Sequence, residues 1–340
     1  MNKKKVLYVC NAAQTARVFR PEKYEEMLEL FDVTENNGER NWDSDEVAEN
    51  AAGMDAIVTG WGAPAMIPAV FEAAPDLQII AHSAGSVRRL VPDEIAEEYV
   101  VPRAITVFSA NGAIATNVAE SAIGMLLMTM RHWVQFNSYI HETPNWRSQL
   151  YDYDGQFLLG STVGVVSASK VGREVIRLLE PWRVDILVYD PYLPDEEAAE
   201  MGVKKVELDE LFALADHVTV HAPKTAETEK MIGDEQLSLL RDGATLVNTS
   251  RGTVIDQDAL FEHAKRRRIH VCLDVTSPEP MEATNPLRQL DNVIITPHVS
   301  GSGHYGYKLI GDQTVQALVD CFEGREVEGA VPFDRYDTIA

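Results

Sequence analysis

The feature that most limits how this chain can fold is an alternation. Short apolar, β-branched runs, Val6–Cys10, Ala56–Thr59, Gln78–Ala81, Ile105–Phe108, Thr162–Val166, Asp185–Tyr189, Val218–His221, Thr245–Val247, Ile269–Leu273 and Val293–Ile295, are separated by stretches with amphipathic helical spacing. Strands joined through helices run parallel, and a parallel sheet needs helices on both faces. The expected class is therefore α/β and doubly wound. At 340 residues the chain is long enough for two cores. It has no repeats, low-complexity tracts or Pro/Ser-rich linkers, so the domain boundary must come from motifs.

Charge narrows the partners. With 53 acidic against 30 basic residues, a formal net charge of −23 opposes binding to phosphate backbones or anionic lipid. Neither nucleic acid nor membrane is expected. The run Lys265–Arg268 closes an apparent helix beginning near Asp256, where cations meet the negative end of the helix dipole. Met1–Lys5 is basic, but Val6–Cys10 is too short for the apolar region of a signal peptide. The most apolar stretch, Ala122–Met130, lies between Glu120 and Arg131 and falls short of the ~20 apolar residues of a membrane span. Cys10, Cys272 and Cys321 are too scattered for a disulfide framework or a metal site. A reducing, cytoplasmic location fits, with no metal.

Gly112–Arg131 has the pattern of a long helix connecting two domains. The following stretch, His132–Phe157, lacks clear periodicity and carries Trp133, Tyr139, Trp146, Tyr151, Tyr153 and Phe157. Such aromatics form either a local core under a loop or an oligomer interface.

From Thr162 the chain reads strand, turn, helix, strand, ending at Asp190, which lies 18 positions after Gly172. That context suits a dinucleotide-binding turn followed by an acid for the adenosine ribose. Where the fingerprint has Gly-x-Gly-x-x-Gly, this chain has Ser167-Ala168-Ser169-Lys170-Val171-Gly172. Alone, the segment also fits a βαβ unit that binds nothing. The helix-start amides of Ser169, Lys170 and Val171 would still face a pyrophosphate, and the Ser169 hydroxyl could donate to it. Asp190 should accept from ribose hydroxyls and repel a 2′-phosphate, favouring NAD(H) over NADP(H).

Further segments follow in order: Leu246–Asp256 (LVNTSRGTVID), Leu273–Pro280 (LDVTSPEP) and Ile295–Gly301 (ITPHVSG). Together with His221-Ala222-Pro223, Asn117–Glu120 and Ala84–Val87, they closely resemble the signature blocks of the D-isomer-specific 2-hydroxyacid dehydrogenases. The resemblance runs from about Val6 to Val331. It implies that Arg251 grips the substrate carboxylate and C2 oxygen, that His298 is the general acid/base, and that Glu279 hydrogen-bonds the imidazole. Glu279 further separates the chain from the formate dehydrogenases, which resemble this fold but pair the histidine with glutamine. Asp274 would hold the nicotinamide carboxamide, Thr249 would border the ring, and His221 and Pro223 would line the adenine side. The amides of Gly85 and Ser86 would meet the substrate carboxylate, and Trp61 would wall the pocket. After Val87 the family's usual Asp-Asn is replaced by Arg88-Arg89, which are either solvated charges or a recruiter for a second acidic group. His304 reads as a helix-start residue.

The resemblance also implies two doubly wound Rossmann-like domains, with an NAD domain (111–302) inserted into a flavodoxin-like substrate domain (1–110 and 303–340). It places the active site in the cleft between them and implies a homodimer. The activity implied is NAD-dependent hydride transfer to or from C2 of a small 2-oxo or 2-hydroxy acid. Two alternatives stay open: an NAD-sensing or partner-binding protein like the corepressors related to this family, and a short phosphoglycerate dehydrogenase.

Overall fold

The apolar runs form two all-parallel sheets in the computed structural model, which describes residues 3–146 and 156–338. The chain divides into two compact units, Met1–Ile114 with Ser302–Ala340, and Ala115–Gly301. Sequence reading sets these breaks at 110/111 and 302/303; the first division falls inside the helix Asn111–Met130, where no loop marks it.

In the first unit, β1 (Lys5–Tyr8), β2 (Asp32–Glu35), β3 (Ala56–Thr59), β4 (Ile79–His82) and β5 (Thr106–Ser109) stand in the order β2-β1-β3-β4-β5. That is the flavodoxin-like order, with its switch point between β1 and β3. Side chains alternate across a strand, so each strand feeds two cores. Val6, Tyr8, Ala56, Val58, Ile79, Ala81 and Phe108 pack with Ile310 and Leu318 of the last helix, His304–Phe322. Their neighbours Leu7, Val9, Ile57, Ile80 and Val107 pack on the other face with Val47, Val70, Phe71 and Val91.

The second unit holds β6 (Thr162–Val166), β7 (Asp185–Tyr189), β8 (Lys204–Lys205), β9 (His217–Val220), β10 (Ala244–Asn248), β11 (Ile269–Leu273) and β12 (Val293–Ile295), in the order β12-β11-β10-β9-β6-β7-β8. Counted from β6, this is the Rossmann order extended by one strand, with the switch point between β6 and β9. The helix Asn111–Met130 is long and apolar enough to cross a membrane by length and composition, but half of that window is buried. Its Ala119, Ala122, Met125, Leu126 and Met130 belong to the core of this unit.

The structure departs from the sequence expectations at particular elements. Strands β2 and β8 carry no apolar run: β2 reads DVTE with alternating exposure, β8 is two lysines, and both are sheet edges. The stretch read as irregular contains the helix Trp133–Glu142. Trp133, Trp146 and Phe157 are exposed, so they form no local core, while Tyr151 and Tyr153 lie outside the described residues. The basic run closes the helix Gln257–Lys265, which is capped by Asp256, and Arg267 and Arg268 pair with Asp291 and Asp242.

Candidate functional site

At the C-terminal end of β6 the chain turns sharply into the helix Lys170–Leu179. Ser167 adopts the left-handed region, φ +77°, which favours glycine. Gly172 is indispensable to this turn, since a Cβ there would lie 2.0 Å from the Ser167 carbonyl oxygen. The Ser169 hydroxyl accepts from the Gly172 amide as the N-cap and donates to the His221 carbonyl at 2.9 Å. It thus stitches the β6 turn to the β9 turn across the switch point. The backbone amides of Ser169 and Val171 donate to nothing among the described residues, as first-turn amides of a helix do. Asp190, buried at the end of β7, accepts from the Ala168 amide, the Ser167 hydroxyl and the Tyr192 amide. The bare helix-start amides, the close approach at Gly172 and the acid after β7 together fit a dinucleotide.

Around the C-terminal ends of β10 to β12, three expected residues come together. Arg251 follows β10, and its guanidinium donates to the Ser250 carbonyl at 2.7 Å. Gly252 lets this segment press on the next loop: a Cβ there would lie 2.0 Å from the Thr276 carbonyl carbon. Burial pulls the Arg251 guanidinium below its ordinary pKa, and the charge of Glu279 opposes that shift. Glu279 accepts from the Thr276 amide through Oε1 at 2.9 Å, and its Oε2 lies 2.8 Å from His298 Nδ1. Two contacts thus fix the carboxylate, while His298 Nε2 has no hydrogen-bond partner among the described residues.

His298 sits at φ +53° in a loop that Asp274 fastens. The buried Asp274 carboxylate accepts from the Thr296 hydroxyl at 2.6 Å and from the amides of Val299 and Ser300. Asp274 is therefore the anchor of the histidine loop, a role the sequence reading did not give it. His221 is buried between the hydroxyls of Thr219 and Thr249, and burial holds its pKa down at about 3, so it is neutral. The Pro223 carbonyl accepts from Thr228. Among the described residues, no group of three or more His, Cys, Asp or Glu could hold a metal ion.

In the first unit, the amides of Gly85 and Ser86 donate to no group among the described residues. Trp61 meets the ring of Tyr307 edge to face at 5.3 Å, with Arg17 over both rings. Tyr307 was not singled out in the sequence, where an aromatic early in an amphipathic helix reads as core. Arg88 is committed to Asp93 and to the Tyr336 ring. His304 is the first residue of its helix. Another residue that sequence reading missed is His82, a buried histidine bonded to Thr59 at 2.8 Å and held neutral, with a pKa of about 4.

Residues 123–300 match the family model described as D-isomer specific 2-hydroxyacid dehydrogenase, NAD binding domain. The chain is 34% identical to a D-3-phosphoglycerate dehydrogenase of Archaeoglobus fulgidus over 77% of its own length and 48% of that protein. It thus spans about half the length of that relative. To a glyoxylate reductase of Korarchaeum cryptofilum it is 32% identical, over 80% of this chain and 81% of that one. The crystal structure of a phosphoglycerate oxidoreductase from Rhizobium etli superposes with a TM-score of 0.83 at 21% identity, covering 98% and 99% of the two chains, a likeness of fold.

Proposed function

The chain belongs to the D-isomer specific 2-hydroxyacid dehydrogenase family, and from that premise we propose that it is an NAD-dependent enzyme moving a hydride between nicotinamide and C2 of a small 2-oxo or 2-hydroxy acid. The observation that carries the reading is the 2.8 Å pair of Glu279 and His298, with the partly buried Arg251 feeling the Glu279 charge. A guanidinium, an imidazole and a carboxylate are the anchor, proton carrier and orienter that the reaction needs.

When bound, the nicotinamide supplies or accepts the hydride. The other steps fall to the protein. Arg251, its reach set by the Ser250 carbonyl, offers its remaining donors to the acid's carboxylate and C2 oxygen. Glu279 holds His298 through Nδ1, which directs Nε2 at the C2 oxygen. In reduction Nε2 gives that oxygen its proton; in oxidation it takes the proton back. The Glu279 carboxylate keeps its contact with Nδ1 as the proton moves at Nε2.

The Ser169 and Val171 amides face the pyrophosphate in this reading, with Lys170 between them, and Asp190 meets the adenosine ribose and disfavours a 2′-phosphate. Asp274, Thr249, His221 and Pro223 border the nicotinamide and adenine ends. The Gly85 and Ser86 amides belong to the substrate carboxylate and Trp61 to its side chain. The exposed apolar residues Trp133, Val134 and Ile140 of the helix Trp133–Glu142 support a homodimer. With Cys10 and Cys272 buried as free thiols, the protein would work in the cytoplasm.

The test is a panel of acids, glyoxylate and 3-phosphoglycerate together with phosphorylated, aromatic and branched 2-oxo acids, each in its own direction with NAD(H) and NADP(H). Turnover of at least one with NAD(H) is expected. Confirmed NADH binding with no turnover of any acid would move the assignment to cofactor sensing.

A further inference from the structure

A carboxylate offers about four acceptor positions, two on each oxygen. In Asp190 both positions on Oδ2 are taken, by the Ala168 amide at 2.8 Å and the Ser167 hydroxyl at 3.1 Å. Oδ1 accepts the Tyr192 amide at 2.8 Å, so among the described residues one position remains. A ribose presents two adjacent hydroxyls, and gripping both requires a free position on each oxygen. The hydroxyl of Ser167 stands where the second would go.

The backbone holds it there. The approach of Gly172 to the Ser167 carbonyl fixes the turn, and the Ser167 amide donates to the Tyr189 carbonyl at 2.7 Å, at the end of the strand that delivers Asp190. A glycine at 167 would take φ +77° without strain and would leave Oδ2 half open. Serine costs conformational energy and fills the acid, which tightening of the turn alone does not explain.

We propose that Ser167 is a built-in competitor of the cofactor's adenosine ribose, setting the affinity for NAD(H) below the level the same turn reaches without the hydroxyl. This rests on the reading of Asp190 as the ribose acid. Cofactor binding must displace the Ser167 hydroxyl from Oδ2 or settle for one ribose hydroxyl. Either way, a hydrogen bond to a buried carboxylate is lost from the gain on binding.

The experiment is calorimetric titration of the full chain with NADH, with ADP-ribose and with reduced nicotinamide mononucleotide, which lacks the adenosine. Ser167→Ala removes the hydroxyl and keeps the strained backbone; it should tighten NADH and ADP-ribose about tenfold, the lower end for a charge-assisted bond. The mononucleotide should be unaffected. Ser167→Gly should tighten binding to the same degree and melt above Ser167→Ala, because both lack the hydroxyl and only glycine relieves the left-handed strain, which is common to free and bound states and does not enter the affinity. In an Asp190→Ala background, which has no side-chain acceptor for either the hydroxyl or the ribose, Ser167→Ala should change nothing. Unchanged or weaker ADP-ribose binding in both Ser167 variants overturns the proposal while leaving the assignment of Asp190 intact, as does a gain that survives Asp190→Ala. If neither the unaltered chain nor any variant binds ADP-ribose, the ribose assignment is wrong, and the proposal falls with it.

Discussion

Replacing Arg251 with lysine keeps one positive charge and removes the planar fork, so it isolates what geometry contributes. One guanidinium nitrogen is spent on the Ser250 carbonyl at 2.7 Å, and under the proposed function the remaining donors serve the acid. The backbone cannot shift to help a shorter reach, because Gly252 is already in contact with the Thr276 peptide. An ammonium must therefore choose between the carbonyl and the substrate. Losing one charge-assisted hydrogen bond costs ~1.5–3 kcal/mol, which is roughly 10- to 150-fold in kcat/KM, and losing a pair costs more. We expect a fall of at least ~100-fold. The pH dependence adds a second signature. Burial lowers the Arg251 pKa, with Glu279 opposing, but a guanidinium starts so high that it stays charged throughout. The same burial acts on a lysine starting near 10.4, so the variant's residual activity should decline as pH rises into the alkaline range, where the parent's Arg251 remains charged. Steady-state turnover from neutral to alkaline pH, with NADH affinity measured separately, checks both. Parental kcat/KM in Arg251→Lys would refute the reasoning, as would a loss confined to NADH binding.

His298→Asn should lower kcat by at least ~100-fold, the low end for a positioned general acid, with little change in NADH affinity measured by fluorescence titration. Asp190→Ala should narrow the preference for NADH over NADPH, since it removes both the ribose acceptor and the repulsion of a 2′-phosphate; an unchanged ratio of affinities counts against the assignment. The buried neutral histidines predict acid sensitivity. His82 and His221 have folded pKa values of about 4 and about 3, below the ordinary 6.5, so the unfolded chain binds more protons between these values. Stability is then complete above ~6.5 and lost as pH falls, by at most ~3 kcal/mol for each histidine by about pH 4. Thermal melts should flatten with pH in His221→Gln, and an unaltered slope would show that this histidine does not titrate against folding.

The central strands were legible because a strand covered on both faces must be mostly apolar, as Ala56–Thr59 (AIVT) and Ile269–Leu273 (IHVCL) are. Edge strands escape that demand. Among the described residues Asp32–Glu35 pairs only with β1, and the lysines of β8 pair only with β7, so neither carries an apolar run. The helix Trp133–Glu142 was missed for a related reason: Trp133 is exposed and Phe136 and Tyr139 are only partly buried, so no helical period of buried apolar residues marks it.

The pairing of Glu279 with His298 was anticipated through the resemblance of their segments to the family's signature blocks, and the structure brings the two within 2.8 Å, whereas what the backbone does was illegible. Nothing in the sequence says that Asp274 spends its carboxylate on Thr296, Val299 and Ser300, because those partners are peptide amides and a hydroxyl set by loop geometry. Ser169 shows the same limit from the other side. A hydroxyl at a helix start can be read as a phosphate donor, yet here its proton goes to the His221 carbonyl and its lone pair to the Gly172 amide. The two serines of the altered turn therefore have different consequences. Ser169 replaces glycine's freedom with a cap that ties β6 to β9, whereas Ser167 accepts a left-handed backbone and turns its hydroxyl onto the buried acid after β7. The retained Gly172 explains why only these two positions could change. A side chain at 167 or 169 can be turned to a hydrogen bond, but a Cβ at 172 would overlap a carbonyl 2.0 Å away, and no rotamer relieves that.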